Sequence, residues 1–442
     1  MHLNQISWRR PHAARPPGRR SRRWPWLAAT TLTACLAAAY PAAAVAAGTA
    51  AAQPPRPLNC GTPDFLIQCY TPQAYEVAYG VAPLLRRGID GRGETVVMPE
   101  LAETPSHRGL TYTDIRQDLA AFDSKFGLPA AKLRVVNTIA RSKAPYLAGT
   151  EEIEDTEMVH AIAPGASLDV VLVPQDAESS SANFAAAITK AIQAGVALHA
   201  AVISISASGG EHLLTPAEVA AMNAALEQAR DQRVTVVAGS GDTGAISDNG
   251  PPQQVSLPAS DPLVLAAGGT TLDANWATGA YLGEMAWNEG TEASGGGYSR
   301  LFPRSAYQDG VARIGVTRGV PDVAANADSA TAMALDISGG GLLPASGTSA
   351  ATPLWAGVIA LADQQAGQHL GFVNPAIYAI ARSPAYHQAF HDVVTGDNSV
   401  LWPTGVFTGY TAGPGWDPVT GWGSPNAQYL VPLLAHTTRS GV

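Results

Sequence analysis

The chain has 442 residues, of which 46% are hydrophobic and only 14% charged, with 44 glycines and 33 prolines. This composition suits a globular enzyme with many loops and excludes a coiled coil or a disordered chain. The formal net charge of −9 would become −16 without the seven arginines of residues 1–23. A processed protein that acidic would repel nucleic acid and anionic membrane surfaces, so we expect no nucleic-acid partner and no stable membrane association.

The first 47 residues have the pattern of an export signal. An arginine-rich start is followed by an apolar run from Trp24 to about Ala47, with Ala-x-Ala cleavage options near its end. We therefore expect a signal peptide at 1–47 and a secreted or periplasmic protein, with an uncleaved membrane anchor as the alternative. An Ala/Pro-rich linker, 48–59, then leads to one domain predicted over 60–436.

Two cysteines remain once the predicted signal, which contains Cys35, is removed. Cys60 and Cys69 form an even pair in an exported protein, so a disulfide that closes a short loop is expected. Two free thiols are the alternative, since the spacing matches no metal site.

Strand-like and helical patterns alternate along the first two thirds of the chain. In chain order they predict a strand at Glu94–Met98, a helix at Thr150–Ile162, a strand at Ser167–Val173, a helix at Asn183–Ala194, a strand at Ala201–Ser206, a helix from Thr215 to about Gln232, and strands at Val234–Ala238 and Leu263–Ala267. Thr215 and Glu218 form a predicted capping box, with Pro216 at the first helical position. Such alternation predicts an α/β fold with a parallel sheet, helices on both faces and an active site at the carboxyl ends of the strands.

The sharpest motif surrounds Ser349. Residues 346–353, Ser-Gly-Thr-Ser-Ala-Ala-Thr-Pro, lie between a glycine-rich turn at Gly339–Gly341 and an apolar helix predicted at Leu354–Asp363. Ser349 is thus expected at a helix N-terminus, where free N–H groups and the helix dipole stabilise a developing oxyanion. A helix-capping serine is the alternative. Gly-Thr-Ser-Ala-x-x-Pro is the nucleophile signature of the subtilisin-like fold, and Ala351 stands where the α/β-hydrolase elbow needs glycine.

The sequence offers a carboxylate as the base. A subtilisin would need a histidine followed by Gly-Thr, and none of the ten histidines has that setting. Either the protein is inactive or another base serves. Glu151 and Asp155 are four residues apart on a predicted helix and so share one face, which Met158 and Ile162 continue with apolar side chains. These two carboxylates are the candidate base and its partner.

The remaining acidic residues of this helix are assigned differently. A solvated acidic face is the commoner role for such a charged stretch. It is the prediction for Glu152, Glu154 and Glu157. His160, the nearest histidine, is predicted to be structural and not catalytic.

Taken together, these motifs resemble those of the sedolisin family. The spacing Glu-x-x-x-Asp, then nine residues to the proline of Ala163–Ala166, is similar to the family's catalytic helix. Other motifs of the family follow in order, from about Cys69 to Leu434: Gly241–Gly244, Ser294–Ser299, Phe302-Pro303, Arg318–Val323 and the serine motif. The resemblance implies a subtilisin-like fold and an acid-acting serine-carboxyl peptidase, either an endopeptidase or a tripeptidyl-peptidase, with peptide or protein substrates. We expect a monomer, although the sequence itself does not determine the oligomeric state.

The resemblance implies a role for each matching residue. Ser349 is the nucleophile, Glu151 the general base and Asp155 the residue that orients Glu151, while Glu100 extends the hydrogen-bond chain. Asp242 matches the oxyanion-hole aspartate, and a carboxylic acid donates a hydrogen bond to an oxyanion only while protonated. Neighbouring carboxylates cannot all ionise cheaply, so their apparent pKa values rise as a group. The rate is therefore expected to peak well below neutral pH.

The resemblance also implies one structural calcium ion. Phe390–Val394 and Ala412–Asp417 are similar to the family's calcium loops. Calcium takes six or more oxygen ligands, including backbone carbonyls and water. The protein ligands implied are the carboxylates of Asp392 and Asp417 and the carbonyls of Val393, Gly413 and Gly415.

Two features depart from the family pattern. Members usually carry a long N-terminal prosegment, whereas only the signal and linker precede the catalytic region here. We therefore expect maturation without a prosegment, or with a separate prosegment or inhibitor as a partner. Ala207 stands where relatives often have tryptophan in the substrate cleft. The peptide preference of the family is therefore not assigned to this protein.

Three other functions are compatible with parts of the sequence. A catalytically inactive pseudopeptidase or binding protein would keep the fold, although the whole catalytic set is present. An ordinary subtilisin would need His160 as its base. A secreted esterase would need a Gly-x-Ser-x-Gly elbow, and the sequence has none.

Overall fold

The computed structural model describes residues 58–62, 65–102, 114–140, 149–174, 176–247, 253–337 and 341–437. The predicted signal peptide, nearly all of the linker and Gly339-Gly340 of the glycine-rich turn lie outside these residues. The described residues all belong to one unit of the chain. In this part of the chain, none of the helices combines the length and the apolar character needed to cross a membrane.

The helices and strands follow one another along the described ranges. The helices are α1 (Pro72–Ala78), α2 (Ala82–Leu85), α3 (Ile115–Phe126), α4 (Thr150–Ile162), α5 (Ser181–Ala197), α6 (Pro216–Asp231), α7 (Gly347–Ala366), α8 (Asn374–Ala381), α9 (Tyr386–Ala389) and α10 (Ala427–Thr437). The strands are β1 (Leu58–Thr62), β2 (Phe65–Cys69), β3 (Thr95–Leu101), β4 (Lys132–Val136), β5 (Ser167–Val173), β6 (Val202–Ile205), β7 (Gly209–Gly210), β8 (Thr235–Gly239), β9 (Ser256–Leu257), β10 (Leu265–Ala274), β11 (Tyr281–Ala286), β12 (Gly297–Pro303), β13 (Thr317–Val320), β14 (Val323–Asn326), β15 (Ala334–Ile337), β16 (Gly341–Pro344), β17 (Phe390–His391), β18 (Val400–Trp402), β19 (Gly405–Phe407) and β20 (Ser424–Pro425).

The central sheet is largely parallel. Among the described residues its strands are ordered β11-β10-β8-β6-β3-β5-β4, and β14 also pairs with β10. Every pairing in it is parallel except that of β10 with β11. The predicted α/β fold with a parallel sheet is confirmed, and the buried, valine- and isoleucine-rich strands are typical of sheets covered on both faces.

Helices cover both faces of this sheet. On one face α4 packs on α7, and α7 lies against β6, β8, β10 and β14. On the other face α5 packs on α6, and Phe184, Ile188, Met222 and Leu226 form a separate core with Ile203. The first face carries the predicted catalytic motifs, because both α4 and α7 belong to it.

Local signals set several element boundaries as predicted. Helix α4 and strand β5 occupy the predicted residues. At the start of α6 the Thr215 side chain accepts from the Glu218 N–H while the Glu218 carboxylate accepts from the Thr215 N–H. The disulfide between Cys60 and Cys69 is present and joins the paired strands β1 and β2, as predicted.

The serine helix begins earlier than predicted. Helix α7 starts at Gly347 and contains Pro353, whereas the sequence suggested a start after that proline. Proline has no N–H to donate to the carbonyl four residues before it, here that of Ser349. That carbonyl instead lies 3.4 Å from the Ser206 hydroxyl. Ser349 is therefore the third residue of a longer helix, and its carbonyl contacts Ser206, which directly follows β6.

Candidate active site

The carboxyl ends of three parallel strands gather the predicted catalytic residues. Glu100 lies near the end of β3, Ser206 directly follows β6, and Asp242 follows β8 after a short turn. The N-terminus of α7 meets the last two, since Ser349 contacts Ser206 and Thr348 contacts Asp242. This is the place where parallel sheets usually carry their functional residues.

Ser349 and Glu151 are in direct contact. The Ser349 hydroxyl lies beside the Glu151 carboxylate, close enough to oppose the rise of the Glu151 pKa, and it is 3.4 Å from the Ser206 carbonyl oxygen. The packing of α4 on α7 brings them together, although the two residues are far apart in sequence. Solvent reaches the Glu151 side chain. Even so, desolvation by the surrounding protein, and then the charge of Asp155, raise the pKa of Glu151 well above its usual range.

Asp155 continues this set of carboxyls away from the serine. It is 1% exposed, accepts from the Ser206 hydroxyl at 2.7 Å and shares a hydrogen bond with Glu100. Two carboxyl groups can hydrogen-bond each other only when one of them carries a proton. Burial raises the pKa of Asp155 to about 7, and burial followed by the charge of Asp155 raises the pKa of Glu100 well above its usual range.

Asp242 caps the serine helix from the other side. Its Oδ1 accepts from the Thr348 N–H at 2.8 Å and from the Thr348 hydroxyl at 2.7 Å. Burial raises the pKa of Asp242, while the bonds from Thr348 act in the opposite direction. Both bonds use Oδ1, so Oδ2 is the oxygen that can hold a proton for donation.

Gly347 permits this close approach of Asp242. Its φ of 77° lies in the left-handed region that side chains rarely adopt. A Cβ atom added there would also lie 2.7 Å from Asp242 Oδ2. The glycine of the serine motif is therefore required both for the turn into α7 and for the space that Asp242 occupies.

Two polar groups of the site, the side chains of Ser206 and Thr348, were not predicted from the sequence. Ser206 hydrogen-bonds Asp155 and contacts Ser349, and Thr348 holds Asp242. Ser206 is a polar residue immediately after a buried strand, which is the signal that would have identified it. Thr348 lies inside the recognised motif, but no sequence pattern connects it to Asp242.

The prediction of a solvated face for Glu152, Glu154 and Glu157 is wrong. The three residues are 3%, 3% and 0% exposed. Helix α4 packs against α1, α3, α7, β3 and β15, so it has no wet side along this stretch. Buried carboxyls need hydrogen-bond donors. Glu154 accepts from the Ser346 N–H at 3.0 Å, and Glu157 accepts from the Asp336 N–H at 2.9 Å.

His160 lies in a separate environment on the same helix. It is fully buried, and its Nε2 is 3.0 Å from Asp123 Oδ1 and 2.9 Å from the Pro129 carbonyl oxygen. These contacts agree with the structural role predicted for His160. They provide no support for an ordinary subtilisin in which this histidine is the base.

Asp417 is the centre of the predicted calcium loops. It is fully buried, and its Oδ1 accepts from the backbone N–H groups of Val419 and Thr420. Its Oδ2 accepts from the Gly413 N–H at 3.1 Å. Burial raises the pKa of Asp417 to about 6, against the effect of these hydrogen bonds.

Asp392 and the Val393 carbonyl lie in the same cluster, whereas Gly413 and Gly415 contact the two carboxylates through their N–H groups and not through the predicted carbonyls. Both oxygens of Asp392 are 3.2 Å from the Gly415 nitrogen, and the Thr420 hydroxyl contacts both Asp417 and the Val393 carbonyl. Among the described residues, no three His, Cys, Asp or Glu side chains form a metal cluster. A cation here would rely on two carboxylates and backbone carbonyls, a donor set that suits calcium and not a transition metal.

The fold and the serine helix define the class of protein. The chain matches the subtilase family over residues 144–385. This match covers more than half of the chain. Together with the parallel sheet and the Gly-Thr-Ser-Ala sequence at the start of α7, it identifies the protein as a subtilase.

Named relatives identify the branch. The chain is 35% identical over 379 residues to kumamolisin of Bacillus sp. (strain MN-32), a match that covers 83% of this chain and 63% of that protein. It is 33% identical over 327 residues to sedolisin of Pseudomonas sp. (strain 101), covering 70% and 53%. Human tripeptidyl-peptidase 1 is 29% identical over 347 residues, covering 73% and 57%. The chain belongs to the sedolisin family of subtilases.

A solved relative supports the assignment. The structure of Pseudomonas sedolisin, a serine-carboxyl proteinase complexed with two molecules of pseudo-iodotyrostatin, matches with a TM-score of 0.69 and 27% identity. The match covers 86% of this chain and 99% of that chain. By contrast, the chain spans 63% or less of the length of the curated relatives named above.

Proposed function

We propose that the protein is a secreted, acid-acting serine-carboxyl peptidase that hydrolyses peptide bonds through an acyl-enzyme. The contact between the Ser349 hydroxyl and the Glu151 carboxylate at the start of α7 carries this proposal. Membership of the sedolisin family supports it. The arginine-rich, apolar start of the sequence and the Cys60–Cys69 disulfide support export.

Acylation begins with a proton transfer to Glu151. As Ser349 Oγ bonds to the carbonyl carbon of the substrate, its proton passes to the Glu151 carboxylate. Glu151 then gives this proton to the leaving amine when the peptide C–N bond breaks. Water repeats the sequence on the acyl-enzyme and releases the second product. Asp155, held by Ser206 and Glu100, orients Glu151 and stabilises its protonated form.

Asp242 and the N-terminus of α7 stabilise the oxyanion. The tetrahedral intermediate places negative charge beside the start of the helix, where backbone N–H groups and the dipole favour it. Asp242 donates from Oδ2 when it is protonated, while Oδ1 remains bonded to Thr348. Above the pKa of Asp242 the donor becomes a negative charge that repels the intermediate. Activity therefore requires a protonated Asp242 and a Glu151 that can accept a proton, so the coupled carboxyls Glu151, Asp155 and Glu100 must together have lost at least one proton.

A structural calcium ion fits the loops around Asp392 and Asp417. The two carboxylates and the Val393 carbonyl already share contacts through Thr420 and the loop backbone. Asp392, Asp417 and the carbonyls of Val393, Gly413 and Gly415 would hold the ion. Calcium would supply positive charge to a buried acidic site and fix the loops, with no part in the chemistry.

Covalent labelling tests the proposed activity. An active-site-directed peptide aldehyde or fluorophosphonate is expected to form one adduct, on Ser349, and a substrate peptide should compete with it. Peptide mapping by mass spectrometry locates the modified residue. No adduct on folded protein, or an adduct on another serine, would contradict the proposal and favour an inactive pseudopeptidase or a different nucleophile.

Calcium removal should destabilise the folded protein. A ligand present at about 100 times its Kd adds about 2.7 kcal/mol of stability. For a domain of this size that corresponds to a fall in Tm of roughly 3 °C when a chelator is added. Differential scanning calorimetry with and without EGTA measures the shift.

The matched variants are Asp417→Asn and Asp397→Asn. Asp417→Asn should melt at one temperature with or without calcium, whereas Asp397→Asn, whose carboxylate accepts from the Ser399 N–H in a neighbouring loop, should keep the full response. A wild-type Tm that changes with neither calcium nor EGTA would exclude the proposed calcium site.

A further inference from the structure

The start of α7 presents a capping problem that its own sequence does not solve. In a capping box, the side chain at the third helical position bonds the N–H of the cap residue, as Glu218 does for Thr215 at the start of α6. In α7 the cap residue is Ser346 and the third position is Ser349. A nucleophile engaged in capping would not be free to react. The Ser346 side chain makes no capping bond of its own.

Glu154 supplies the missing bond from a different helix. Its Oε1 accepts from the Ser346 N–H at 3.0 Å, and the side chain is 3% exposed. Glu154 follows Glu151 by three residues on α4 and directly precedes Asp155. The helix that carries the base therefore also holds the first N–H of the helix that carries the nucleophile.

We propose that Glu154 is a positioning residue of the reaction, which caps α7 from α4 and thereby fixes the approach of Ser349 to Glu151. The inference rests on the proposed peptidase function. Helix α4 carries Glu151 and, through Glu154, also holds the start of α7, which carries Ser349. The distance between nucleophile and base therefore does not depend on a flexible loop. An error of about 1 Å in such a geometry costs about 100-fold in rate.

The cap is compatible with work in acid. Burial, followed by the charges of Glu151 and Asp155, raises the pKa of Glu154 well above its usual range, and Asp242 adds to the effect. A protonated carboxyl still accepts through its carbonyl oxygen. The bond to Ser346 therefore survives at pH values where the neighbouring carboxyls exchange their protons. Together Glu154 and Asp242 bond the N–H groups of Ser346 and Thr348, on either side of Gly347.

Three variants on α4 separate positioning from general stability. Glu154→Leu removes the acceptor, Glu154→Gln keeps an oxygen for it, and Glu157→Leu is the matched control. Glu157 is also fully buried and accepts a backbone N–H at 2.9 Å, but from Asp336 in β15 and not from α7. Both leucine variants lose one buried carboxyl–amide bond, so their losses of thermal stability should be similar.

We expect kcat to distinguish Glu154→Leu from Glu157→Leu, although the two variants should be similar in thermal stability. Glu154→Leu should lower kcat by roughly 10- to 100-fold with KM changed less than about twofold, because binding groups stay in place while nucleophile and base separate. Glu154→Gln and Glu157→Leu should stay within about threefold of the wild type. A kcat for Glu154→Leu equal to that of Glu157→Leu would overturn the proposal. If Glu154→Leu does not fold, Glu154→Asp, too short to reach Ser346, takes its place.

Hydrogen exchange provides a readout that does not depend on turnover. The amides of residues 345–350 should exchange at least about tenfold faster in the Glu154 variant that lacks the bond, while the Glu157 control should change exchange only around Asp336. Unchanged exchange at 345–350 would overturn the proposed cap. If the wild type cleaves no peptide and its amides at 345–350 exchange as fast as those of the Glu154 variant, both proposals are rejected. If the wild type cleaves no peptide but exchange at 345–350 differs between the two proteins as expected, only the peptidase function is rejected.

Discussion

Replacing Ser349 with alanine should lower kcat/KM for a peptide substrate by roughly 10⁴-fold or more, because no acyl-enzyme can form without its oxygen. A small residual rate enhancement, from the oxyanion site and from substrate binding, would remain. Folding should be unaffected, since the contact of the hydroxyl with the Ser206 carbonyl oxygen is long, at 3.4 Å.

Initial rates of peptide cleavage measure the effect, with Ser383→Ala as the control. The Ser383 hydroxyl donates to the Ile380 carbonyl at the end of α8, away from the serine helix. This control should cleave at the wild-type rate. More than about 1% of wild-type activity in a purified Ser349→Ala protein would mean that another residue is the nucleophile.

Replacing Glu151 with glutamine should have the second largest effect, a loss of roughly 10²- to 10⁴-fold in kcat. The amide has the size of the carboxyl and can still contact Ser349, but it cannot take the proton from the hydroxyl. Asp155 does not replace it, because Asp155 faces Ser206 and Glu100. KM should change little, since Glu151 acts on the nucleophile and not on substrate binding.

Two controls make this result specific. Glu157→Gln, on the same helix but bonded to Asp336, should retain kcat within about threefold of the wild type, as expected for a change outside the site. His160→Gln tests the rival in which a histidine is the base, and it should also retain activity. A Glu151→Gln enzyme as active as these two controls would remove Glu151 from the mechanism.

The fold was accessible from the sequence because its signals are local. Strand β5 and helix α4 were predicted at their observed bounds, and the capping box at Thr215 marked the start of α6. Alternation of strands and helices then allowed few arrangements other than a parallel sheet. The candidate catalytic residues were predicted for a different reason, since the Ser349 and Glu151 motifs have spacings that one family shares.

What the sequence could not provide was the surroundings of α4. An amphipathic pattern assumes that one side of a helix meets water, and five neighbouring elements remove that side here. Glu154 and Glu157 are buried because backbone N–H groups of other segments bond them, and those partners are about 180–190 residues away. Such long-range satisfaction of polar groups leaves no local pattern. The early start of α7 was missed because Pro353 usually marks a helix start, not its second turn.

The pH dependence of cleavage tests the central claim most directly. Between about pH 2.5 and 8, a range that brackets ordinary carboxyl pKa values, kcat/KM should rise and then fall, with its maximum below neutral pH. The fall on the alkaline side follows from the raised pKa values of the cluster, since Asp242 loses the proton that it donates and Asp155 ionises around pH 7. In Asp242→Asn the amide donates at any pH, so this fall should move to higher pH. A flat profile, or a maximum at neutral or alkaline pH in the wild type, would contradict the serine-carboxyl mechanism.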